Sequence, residues 1–583
     1  MLAVLLWCSY PAVLWWLDRG ALMVAADTYT SLSNAFVNAL PGLAVALLIA
    51  AITRRFVFPI LLVGLLQLVI YIASKLKLSI LGSPFELQDF YFLTAINKAS
   101  IELFSVYLDK PGAALAIAVA VVLGLVIAAV LERPRMRWLG RRQGGLFAIS
   151  LLALVSLYAA GWPWTRVYNS EEMRPSPLSK APAVPAVLRS GLFSTLVFKY
   201  LQKSNMHFTV DAAALNEAVA LLPPKLEPQA PAAGQRPDVI VILSESFMDP
   251  RIIAEMGSVR DPIPATRRYL ESGQGGALRV PTYGGGTVRT EFEVLTGMPV
   301  AAFPEVSFPY VDLDVKPLPS LPGYLKGLGY DTLAIHGNSG SFWERTKTYA
   351  AMGINRFLDS RDFREKNRPK DGMWFSDQGM TDSIIEELED ATVPTFVMAV
   401  SMENHGPYNH GDPGIPFANP QRRDAVDLPP VLTGNGRVEL QNYLYHLEQG
   451  DDQLQRLVHA LDDRKRPYVL AFFGDHLPAM ASTWEQLQFV DGKAAWQQST
   501  PWLLVSSNGR SSGQGRVIHS WQLPAEVLDI AGLKGDDYFD LVFALGRRIE
   551  GEADPAVRQR LHDGLSSAAN ARISGKRLSD HVK

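Results

Sequence analysis

The sequence predicts an α-helical membrane bundle of five transmembrane helices, followed by an α/β domain with a mostly parallel central sheet. Residues 1–162 are dominated by Leu, Ala, Val, Ile and aromatic side chains, whereas residues 163–583 have an ordinary globular mixture. From residue 236 onward, short apolar runs alternate with stretches of helical periodicity, which is typical of α/β domains. With 583 residues, the chain is also too long for one ordinary domain.

Five apolar runs predict the membrane-spanning helices. A helix that crosses a bilayer needs about 17–25 mainly apolar residues, and five such runs exceed what a globular core uses. The first run does not resemble a cleaved signal peptide, because it lacks a basic segment and further runs follow it. The runs cover residues 2–17, 38–53, 57–74, 111–131 and 144–162.

Loop charges predict the orientation of these helices. Arg54 and Arg55 lie between the second and third runs. Because basic loops face the cytoplasm, the amino terminus is predicted to be cytoplasmic and the chain beyond residue 163 to lie outside. Tryptophans near the ends of the runs fit an interfacial aromatic belt. The loop between the fourth and fifth runs is also basic, with Arg133, Arg135, Arg137, Arg141 and Arg142.

The remaining regions are predicted from composition. Residues 163–235 are rich in proline, as in a semi-rigid linker, and their apolar stretch 192–201 is too short to span and is predicted to be an interfacial helix. Residues 85–93 have a similar mixed character. The predicted division is a transmembrane domain at 1–162, this linker at 163–235, an extracytoplasmic domain at 236–548 and a polar, solvated or disordered tail at 549–583.

Charge and cysteine content exclude several functions. The net charge is −3, which gives no support for binding nucleic acid or another polyanion over the whole chain. The single cysteine, Cys8, excludes an intrachain disulfide and a cysteine-based zinc site.

Polar residues follow the predicted strands of the α/β domain at their carboxyl ends. In an open α/β sheet this edge binds ligands, so residues scattered along the chain are expected to share one pocket. The strands cover 238–243, 332–337, 395–401, 468–476 and 502–506, and the polar residues are Glu245, His336, Asn404, His405, Asp475 and His476.

Three of these residues predict a metal site. Asp475-His476 pairs a carboxylate with an imidazole, and Glu245 adds a second carboxylate, a set suited to Mn²⁺ or Zn²⁺. A Gly-Asp-His sequence alone is equally typical of a capped turn.

A glycine-rich segment precedes a predicted helix that begins at Thr287. Gly284, Gly285 and Gly286 allow the backbone to approach a ligand closely. A helix amino terminus favours phosphate, and a hydroxyl there becomes a nucleophile if a metal lowers its pKa. The alternative is that Thr287 or Thr290 only caps the helix.

These motifs together resemble lipoteichoic acid synthase and its phosphoglycerol transferase relatives, in the alkaline phosphatase and sulfatase superfamily. The five-helix membrane half with an outward catalytic domain is also similar, so the resemblance extends to about residue 548. The motifs are Glu245 after the first strand, Thr287 before Thr290-Glu291-Phe292, Phe342-Trp343-Glu344-Arg345, Asn404-His405-Gly406-Pro407 and Gly474-Asp475-His476.

The resemblance implies a sulfatase-like catalytic domain and a role for each site residue. Thr287 would be the nucleophile, and Trp343, Arg345 and His405 would hold the headgroup, with His336 lining the same pocket. His405 would donate a proton to a departing alkoxide; ordinary core packing of Trp343 and a structural role of His405 are the alternatives. One divalent ion, usually Mn²⁺ in the family, with Zn²⁺ or Mg²⁺ as alternatives, would be bound by Glu245, Thr287, Asp475 and His476.

Some features of the superfamily are missing from the sequence. The modified Cys or Ser of sulfatases, in a Cys/Ser-x-Pro-x-Arg motif, has no counterpart, and the disulfides usual in phosphoethanolamine transferases cannot form. The second metal of alkaline phosphatases needs further Asp and His ligands, for which His410 is the neighbouring candidate. Thr287 is preferred to Thr290 as the nucleophile because the glycine segment before Thr287 loosely matches the family's motif.

The predicted function is transfer of a phosphoglycerol headgroup from phosphatidylglycerol, or a similar anionic phospholipid, to a surface or periplasmic glycan through a phosphothreonine. The predicted location is the bacterial cytoplasmic membrane, with a periplasmic or extracellular catalytic domain. Ala-, Leu- and Arg-rich composition favours a Gram-negative host and hence a periplasmic glucan. The alternatives are a phosphoethanolamine transferase, a phosphodiesterase or other hydrolase, and a non-catalytic membrane transport or binding protein.

Overall fold

The computed structural model describes most of the residues of the chain. These are 1–21, 32–81, 84–87, 89–90, 111–134, 140–168, 191–222, 236–313, 315–408, 417–510, 513 and 515–580. Several predicted features lie outside them, namely Arg135, Arg137, His410, residues 88 and 91–93 of the segment 85–93, and the proline-rich parts of the linker. The chain divides into two compact units, an N-terminal one that ends at Met206 and a C-terminal one that resumes at His207.

The N-terminal unit is helical. Each of the five predicted apolar runs coincides with one helix, α1 to α5, and two shorter helices follow. Their bounds are α1 Leu2–Ala21, α2 Leu32–Thr53, α3 Val57–Leu81, α4 Pro111–Leu131, α5 Arg141–Tyr158, α6 Trp164–Tyr168 and α7 Leu192–Ser204.

Two of these helices are long and apolar enough to cross a bilayer, namely α2 over Ser33–Thr53 and α3 over Val57–Lys75. The described residues thus give two candidate spans where five were predicted. The reason is compositional, because α1 ends on Asp18-Arg19 and α5 begins on Arg141-Arg142, which shortens their apolar parts. In α4, the continuous segment whose side chains are described, Val121–Leu131, is apolar and covers only part of the helix.

Apolar side chains are exposed on α4 and α5. Soluble proteins rarely leave a contiguous apolar surface in water, so a surface of this kind suits contact with lipid. The exposed side chains include Val122, Leu123, Val126, Ile127 and Val130 on α4 and Ile149, Leu152 and Val155 on α5.

The predicted interfacial segment 192–201 forms α7. Its apolar residues, among them Leu192, Phe193 and Leu196, are buried in the core of the N-terminal unit. The buried carboxylate of Asp18 accepts a hydrogen bond from the main-chain N of Leu192 at 2.9 Å, which satisfies a free donor at the start of α7. Contact of α7 with a membrane surface stays a prediction.

An eight-stranded sheet organises the C-terminal unit, in the order β10-β2-β9-β8-β1-β7-β3-β4. Neighbouring strands are parallel, except that β9 is antiparallel to both β8 and β2, so the mostly parallel sheet is confirmed. The strands are β1 Asp238–Ser244, β2 Gly275–Arg279, β3 Asp331–His336, β4 Arg356–Leu358, β7 Thr395–Val400, β8 Tyr468–Gly474, β9 Thr500–Ser506 and β10 Arg516–His519, while β5 Lys370–Asp371 and β6 Trp374–Phe375 form a separate antiparallel pair.

Helices of the C-terminal unit surround the sheet and complete its core. The strands β1, β7 and β8 are buried along their whole length, as expected of parallel strands covered by helices. The helices are α8 Ala212–Ala220, α9 Pro264–Glu271, α10 Thr287–Thr296, α11 Pro309–Asp312, α12 Leu321–Gly327, α13 Arg345–Ala351, α14 Ser360–Glu365, α15 Asp377–Glu389, α16 Pro420–Asp424, α17 Gly434–Asp463, α18 Ala481–Trp484, α19 Leu523–Ala531, α20 Asp537–Glu550 and α21 Pro555–Ile573.

The predicted polar tail is part of this unit, so the prediction of a solvated or disordered end was wrong. Residues 555–573 form α21, in which Leu561 and Leu565 are fully buried. α21 packs against α8, and a Cβ on Gly564 would stand 2.1 Å from the Cβ of Ala218. Small residues therefore allow α21 and α8 to pack closely. Because the tail has few bulky apolar side chains, its sequence did not predict this packing.

Candidate active site

The predicted polar residues lie at one edge of the sheet, at the carboxyl ends of four adjacent strands, β8, β1, β7 and β3. Glu245 directly follows β1, and Asp475 directly follows β8. Asn404 lies in the loop after β7, and His336 is the last residue of β3. The carboxyl ends of the parallel strands thus place these residues together, as predicted.

Glu245, Asp475 and His476 form a compact group of buried ligand atoms, all within 4.8 Å of one another. The Nε2 atom of His476 lies 3.2 Å from Oδ2 of Asp475 and 3.5 Å from Oε1 of Glu245. Two carboxylates and one imidazole at this spacing suit a first-row divalent ion.

Two atoms of this group are buried and have no hydrogen-bond partner, namely Oδ2 of Asp475 and Nε2 of His476. Buried polar atoms are normally satisfied, so these two point to a missing ligand. Burial and the neighbouring Asp475 carboxylate also raise the pKa of Glu245 to about 7. A cation between the three side chains would give the two unpartnered atoms a ligand and would stabilise the charged form of Glu245. The residues present therefore fit a divalent metal ion.

Thr287 stands beside this group as the first residue of α10. Its Oγ1 donates to Oε2 of Glu245 at 3.2 Å, whereas Oγ1 of Thr290, one turn later, donates to the main-chain carbonyl of Asp475 at 2.8 Å. Thr290 therefore fixes α10 to the end of β8, and Thr287 is the threonine whose hydroxyl contacts a candidate metal ligand.

The three glycines before Thr287 all have positive φ, at 66°, 150° and 76° for Gly284, Gly285 and Gly286. A Cβ on Gly286 would approach Oγ1 of Thr282 to 3.0 Å, and one on Gly284 would approach the Cβ of Ala479 to 2.9 Å. The segment therefore needs glycine for its conformation and its close packing, and it brings the amino terminus of α10 to the site.

Arg345 is buried at the start of α13 and forms an ion pair with Glu291 of α10. Its Nε and Nη2 donate to Oε2 of Glu291 at 3.1 and 2.9 Å. Two tyrosine hydroxyls, of Tyr310 at 2.9 Å and Tyr349 at 2.5 Å, donate to Oε1 of the same carboxylate. The guanidinium is thus held in place by α10, the helix that also carries Thr287.

His336 completes this network. Its Nε2 lies 3.2 Å from Nη1 of Arg345, and its Nδ1 lies 3.0 Å from the main-chain O of Val400. Burial, and then the charge of Arg345, hold the pKa of His336 well below its usual range. The imidazole is therefore neutral, with the proton on Nδ1 donated to Val400 and Nε2 accepting from Arg345.

Trp343 is connected to the glycine segment through Phe308. The two aromatic rings stack at a centroid distance of 4.4 Å, and Cε1 of Phe308 lies 3.6 Å from the position of a Cβ on Gly286. Trp343 and Glu344 both have positive φ, at 57° and 55°. Backbone strain in consecutive non-glycine residues is concentrated at functional sites, and here it lies directly before Arg345.

His405 lies half-buried in the loop after β7. Its Nδ1 is 2.7 Å from the main-chain O of Gly406, and its ring makes an edge contact with Trp374 at a centroid distance of 5.0 Å. Burial lowers the pKa of His405, so the neutral form dominates near pH 7. Its placement relative to a headgroup stays a prediction.

Several residues that support the site were missed by the sequence prediction. Oγ of Ser401 accepts from the main-chain N of Glu245 at 2.9 Å. The main-chain N of Ser246 donates to Oδ1 of Asp475 at 2.8 Å, and its hydroxyl donates to Oε1 of Glu245 at 3.0 Å. Ser246 and Ser401 sit at strand ends beside predicted ligands, a signal that small polar residues also orient the metal-binding groups.

Comparison with known proteins agrees with this geometry. The sulfatase family model matches residues 237–533, just over half of the chain. A putative cyclic beta-1,2-glucan modification protein of Rhizobium meliloti is 29% identical over 449 residues, which are 75% of this chain and 65% of that protein. Lipoteichoic acid synthase 2 of Bacillus subtilis is 24% identical over 242 residues, 39% of this chain and 35% of the synthase. The chain therefore spans less than two thirds of either relative.

Among solved structures, the phosphoglycerol transferase GacH of Streptococcus pyogenes, in complex with sn-glycerol-1-phosphate, superposes with a TM-score of 0.48 at 21% identity. The superposition covers 62% of this chain and 93% of that structure. The match to the family model includes β1, α10, β7 and β8, the elements that carry the site. The chain belongs to the sulfatase family, as its motifs predicted.

Proposed function

We propose that the protein is a membrane-bound, metal-dependent transferase that moves a phosphoglycerol headgroup from phosphatidylglycerol to a glycan through an ester on Thr287. The observation that carries the proposal is the contact of the Thr287 hydroxyl with Glu245, beside the unpartnered atoms of Asp475 and His476. A nucleophilic hydroxyl needs a base that takes its proton or a cation that stabilises its deprotonated form. Glu245, Asp475, His476 and Thr287 would hold one divalent ion, with Mn²⁺ the first choice and Zn²⁺ or Mg²⁺ the alternatives.

The first step is attack of Oγ1 of Thr287 on the phosphorus of the lipid. The new Oγ1–P bond replaces the P–O bond to diacylglycerol, whose oxygen takes up a proton and leaves. Glycerophosphate remains esterified to Thr287. When bound, the metal ion lowers the pKa of the threonine hydroxyl and balances charge on the phosphoryl oxygens.

The chain's own groups would orient the phosphoryl group. Main-chain N–H groups at the start of α10 offer donors to its oxygens. The ion pair with Glu291 fixes the position of Arg345. The guanidinium N–H groups that Glu291 does not use would donate to the same oxygens. The aromatic face of Trp343, stacked on Phe308 beside the glycine segment, would bound the glycerol side of the pocket.

In the second step a glycan hydroxyl displaces Thr287 from phosphorus. Its proton needs an acceptor. The neutral form of His405 donates from Nδ1 to the carbonyl of Gly406, so its Nε2 is an acceptor suited to this role. In the first step the threonine proton is released to solvent, and the same imidazole, after taking a proton from solvent, would pass it to the departing diacylglycerol oxygen. In the second step the departing Oγ1 of Thr287 would take a proton back from solvent. The threonine hydroxyl is then restored.

The donor and acceptor proposals rest on different observations. The lipid donor is supported by the exposed apolar faces of α4 and α5 and by the apolar helices α2 and α3. The same helices support a multi-pass topology with five spans. In that topology the amino terminus lies in the cytoplasm and the C-terminal unit in the periplasm. The name of the Rhizobium meliloti relative, a putative cyclic beta-1,2-glucan modification protein, supports a periplasmic glucan as acceptor.

Mass spectrometry of the full chain in detergent tests the proposal. After incubation with Mn²⁺ and phosphatidylglycerol, the peptide that contains Thr287 should gain the mass of one glycerophosphate, and glycan should then remove it. Thr287→Ala is the matched control, because it lacks the oxygen that would carry the glycerophosphate. Loss of the adduct at the same rate with and without glycan would identify a hydrolase, and an adduct of phosphoethanolamine mass would identify the other headgroup.

A further inference from the structure

A second group of potential metal ligands lies outside the candidate active site. It consists of Asp371 on β5, Glu403 in the loop after β7 and His446 on α17, whose ligand atoms all lie within 4.8 Å of one another. All three side chains are buried, with exposed fractions of 2%, 2% and 8%. None of them belongs to the group formed by Glu245, Asp475 and His476.

Among the described residues, no charged side chain outside this group forms an ion pair with it. The one ion pair that involves it among the described residues is internal, between Nδ1 of His446 and Oε1 of Glu403 at 3.2 Å. Asp371 receives hydrogen bonds from neutral donors, the hydroxyl of Tyr445 at 2.6 Å and the amide of Gln449 at 3.0 Å. Buried carboxylates are normally paired with a cation or coordinate a metal, and no described arginine or lysine serves here.

Asp377 gives an independent sign of a missing ligand. It is 3% exposed, and its Oδ1 is buried with no hydrogen-bond partner. Its main-chain N donates to Oε2 of Glu403 at 2.6 Å. Its Oδ2 lies 3.4 Å from the position of a Cβ on Gly450, one helical turn after His446 on the same face of α17. The side chain of Asp377 therefore packs against α17 one turn from His446, and its main chain contacts Glu403.

We propose that Asp371, Glu403 and His446, with Asp377 beside them, bind a second divalent cation. Carboxylate oxygens together with one imidazole nitrogen suit Mn²⁺ or Zn²⁺. The ion would join β5, the loop after β7 and α17. Since Glu403 is separated from His405 by one residue, the ion would also fix the loop that carries His405. This site is structural, and it does not depend on the transfer reaction.

Metal counting on the full chain in detergent tests this proposal. Metal-stripped protein is loaded with Mn²⁺, passed through a desalting column and analysed by atomic spectroscopy. The wild-type protein should retain two ions per chain, and His446→Gln and Glu403→Gln should each retain one. His459→Gln, an exposed histidine on the same helix, is the matched control and should retain two. Glu245→Gln combined with Asp475→Asn should lose the other ion.

A wild-type protein that binds one Mn²⁺, or His446→Gln and Glu403→Gln variants that both still bind two, would overturn the proposal. Glu403→Gln preserves the shape of the side chain and an acceptor for the main-chain N of Asp377, so it separates loss of the ion from loss of the fold. Anomalous scattering from Mn²⁺-loaded crystals gives an answer that needs no variant: a peak should lie between Asp371, Glu403 and His446, and its absence at full occupancy of the first site excludes the second.

Discussion

The hydroxyl of Thr287 donates a hydrogen bond to Oε2 of Glu245 across 3.2 Å, which joins the start of α10 to the end of β1. Thr290 makes a different bond, to the main-chain carbonyl of Asp475 at 2.8 Å. The two threonines of the same helix turn therefore have separable roles. One donates its hydroxyl to Glu245, the carboxylate proposed to bind the metal, and the other anchors the helix.

Thr287→Ala should abolish headgroup transfer while leaving the melting temperature of the protein nearly unchanged, because it removes the attacking oxygen and one hydrogen bond. Thr287→Ser keeps the oxygen and should retain part of the activity. Transfer is measured with phosphatidylglycerol labelled in its headgroup. Thr290→Ser, which preserves the bond to Asp475, is the control and should remain active. Wild-type transfer by Thr287→Ala would exclude Thr287 as the nucleophile.

Gly286→Ala should reduce transfer strongly, because φ of 76° and a 3.0 Å approach to Thr282 oblige the segment before Thr287 to move. An alanine in this region of φ costs about 1–2 kcal/mol. Gly434→Ala, at the start of α17, is the matched control: its φ is 53° and no atom lies within 4 Å of the added Cβ. Both variants should lose similar stability in thermal melts, and only Gly286→Ala should lose activity.

Much of this site was predictable because parallel strands end at a common edge. The runs that end before Glu245 and Asp475 are continuous and apolar, so their strand character and their carboxyl ends could be located in the sequence. The fifth run, 502–506, was recognised as a strand, but its antiparallel direction in β9 was not. Direction depends on the connection between strands and leaves no periodicity in the sequence.

Other features could not be predicted because they depend on tertiary pairing. Glu291 appeared only as part of a motif, yet its carboxylate holds Arg345, Tyr310 and Tyr349 from widely separated positions. The tail 549–583 looked solvated because α21 uses small residues such as Gly564 and Ala568 for packing. Asp371, Glu403 and His446 are separated by up to 75 residues, and none of them stands in a recognisable ligand spacing.

The affinity of the active site for Mn²⁺ should fall as the pH falls below about 7. Burial and Asp475 raise the pKa of Glu245 to about 7 in the metal-free protein, so below this pH the carboxyl holds a proton that the metal must displace. One released proton corresponds to a decrease of about tenfold in apparent affinity per pH unit. Calorimetric titration with Mn²⁺ between pH 5.5 and 8.5, a range chosen to bracket this value at about 1.5 units on each side, measures the slope.

Glu245→Gln provides the control for this pH dependence, because it removes the titrating group while keeping the shape of the side chain. This variant should bind Mn²⁺ more weakly, and its Mn²⁺ affinity should no longer change with pH near pH 7 as the wild-type affinity does. The metal-free protein should also become less stable as the pH rises from about 4.3, the ordinary pKa of a glutamate, towards 7, because ionisation of a buried carboxyl disfavours the fold. An equal slope in the wild-type protein and in Glu245→Gln would contradict the assignment of Glu245 as a ligand.

Loss of the charge on Glu291 should destabilise the protein far more than loss of a surface ion pair. Glu291→Gln leaves the buried guanidinium of Arg345 uncompensated, which costs about 3–5 kcal/mol. Glu387→Gln removes one of the two carboxylate partners of Arg356, whose side chain is 47% exposed, and should cost at most about 1 kcal/mol. Thermal melts of the full chain in detergent compare the two variants.

The double substitution Glu291→Leu with Arg345→Met separates stability from function at the same pair. Replacing both buried charges by apolar side chains of similar size should recover much of the stability lost in Glu291→Gln, although the hydroxyls of Tyr310 and Tyr349 lose their acceptor. Headgroup transfer should stay low, because the guanidinium proposed to orient the phosphoryl group is gone. If the double variant regained wild-type transfer together with its stability, Arg345 would be a structural residue of α13 and the phosphate-orienting role would have to pass to the main-chain donors of α10.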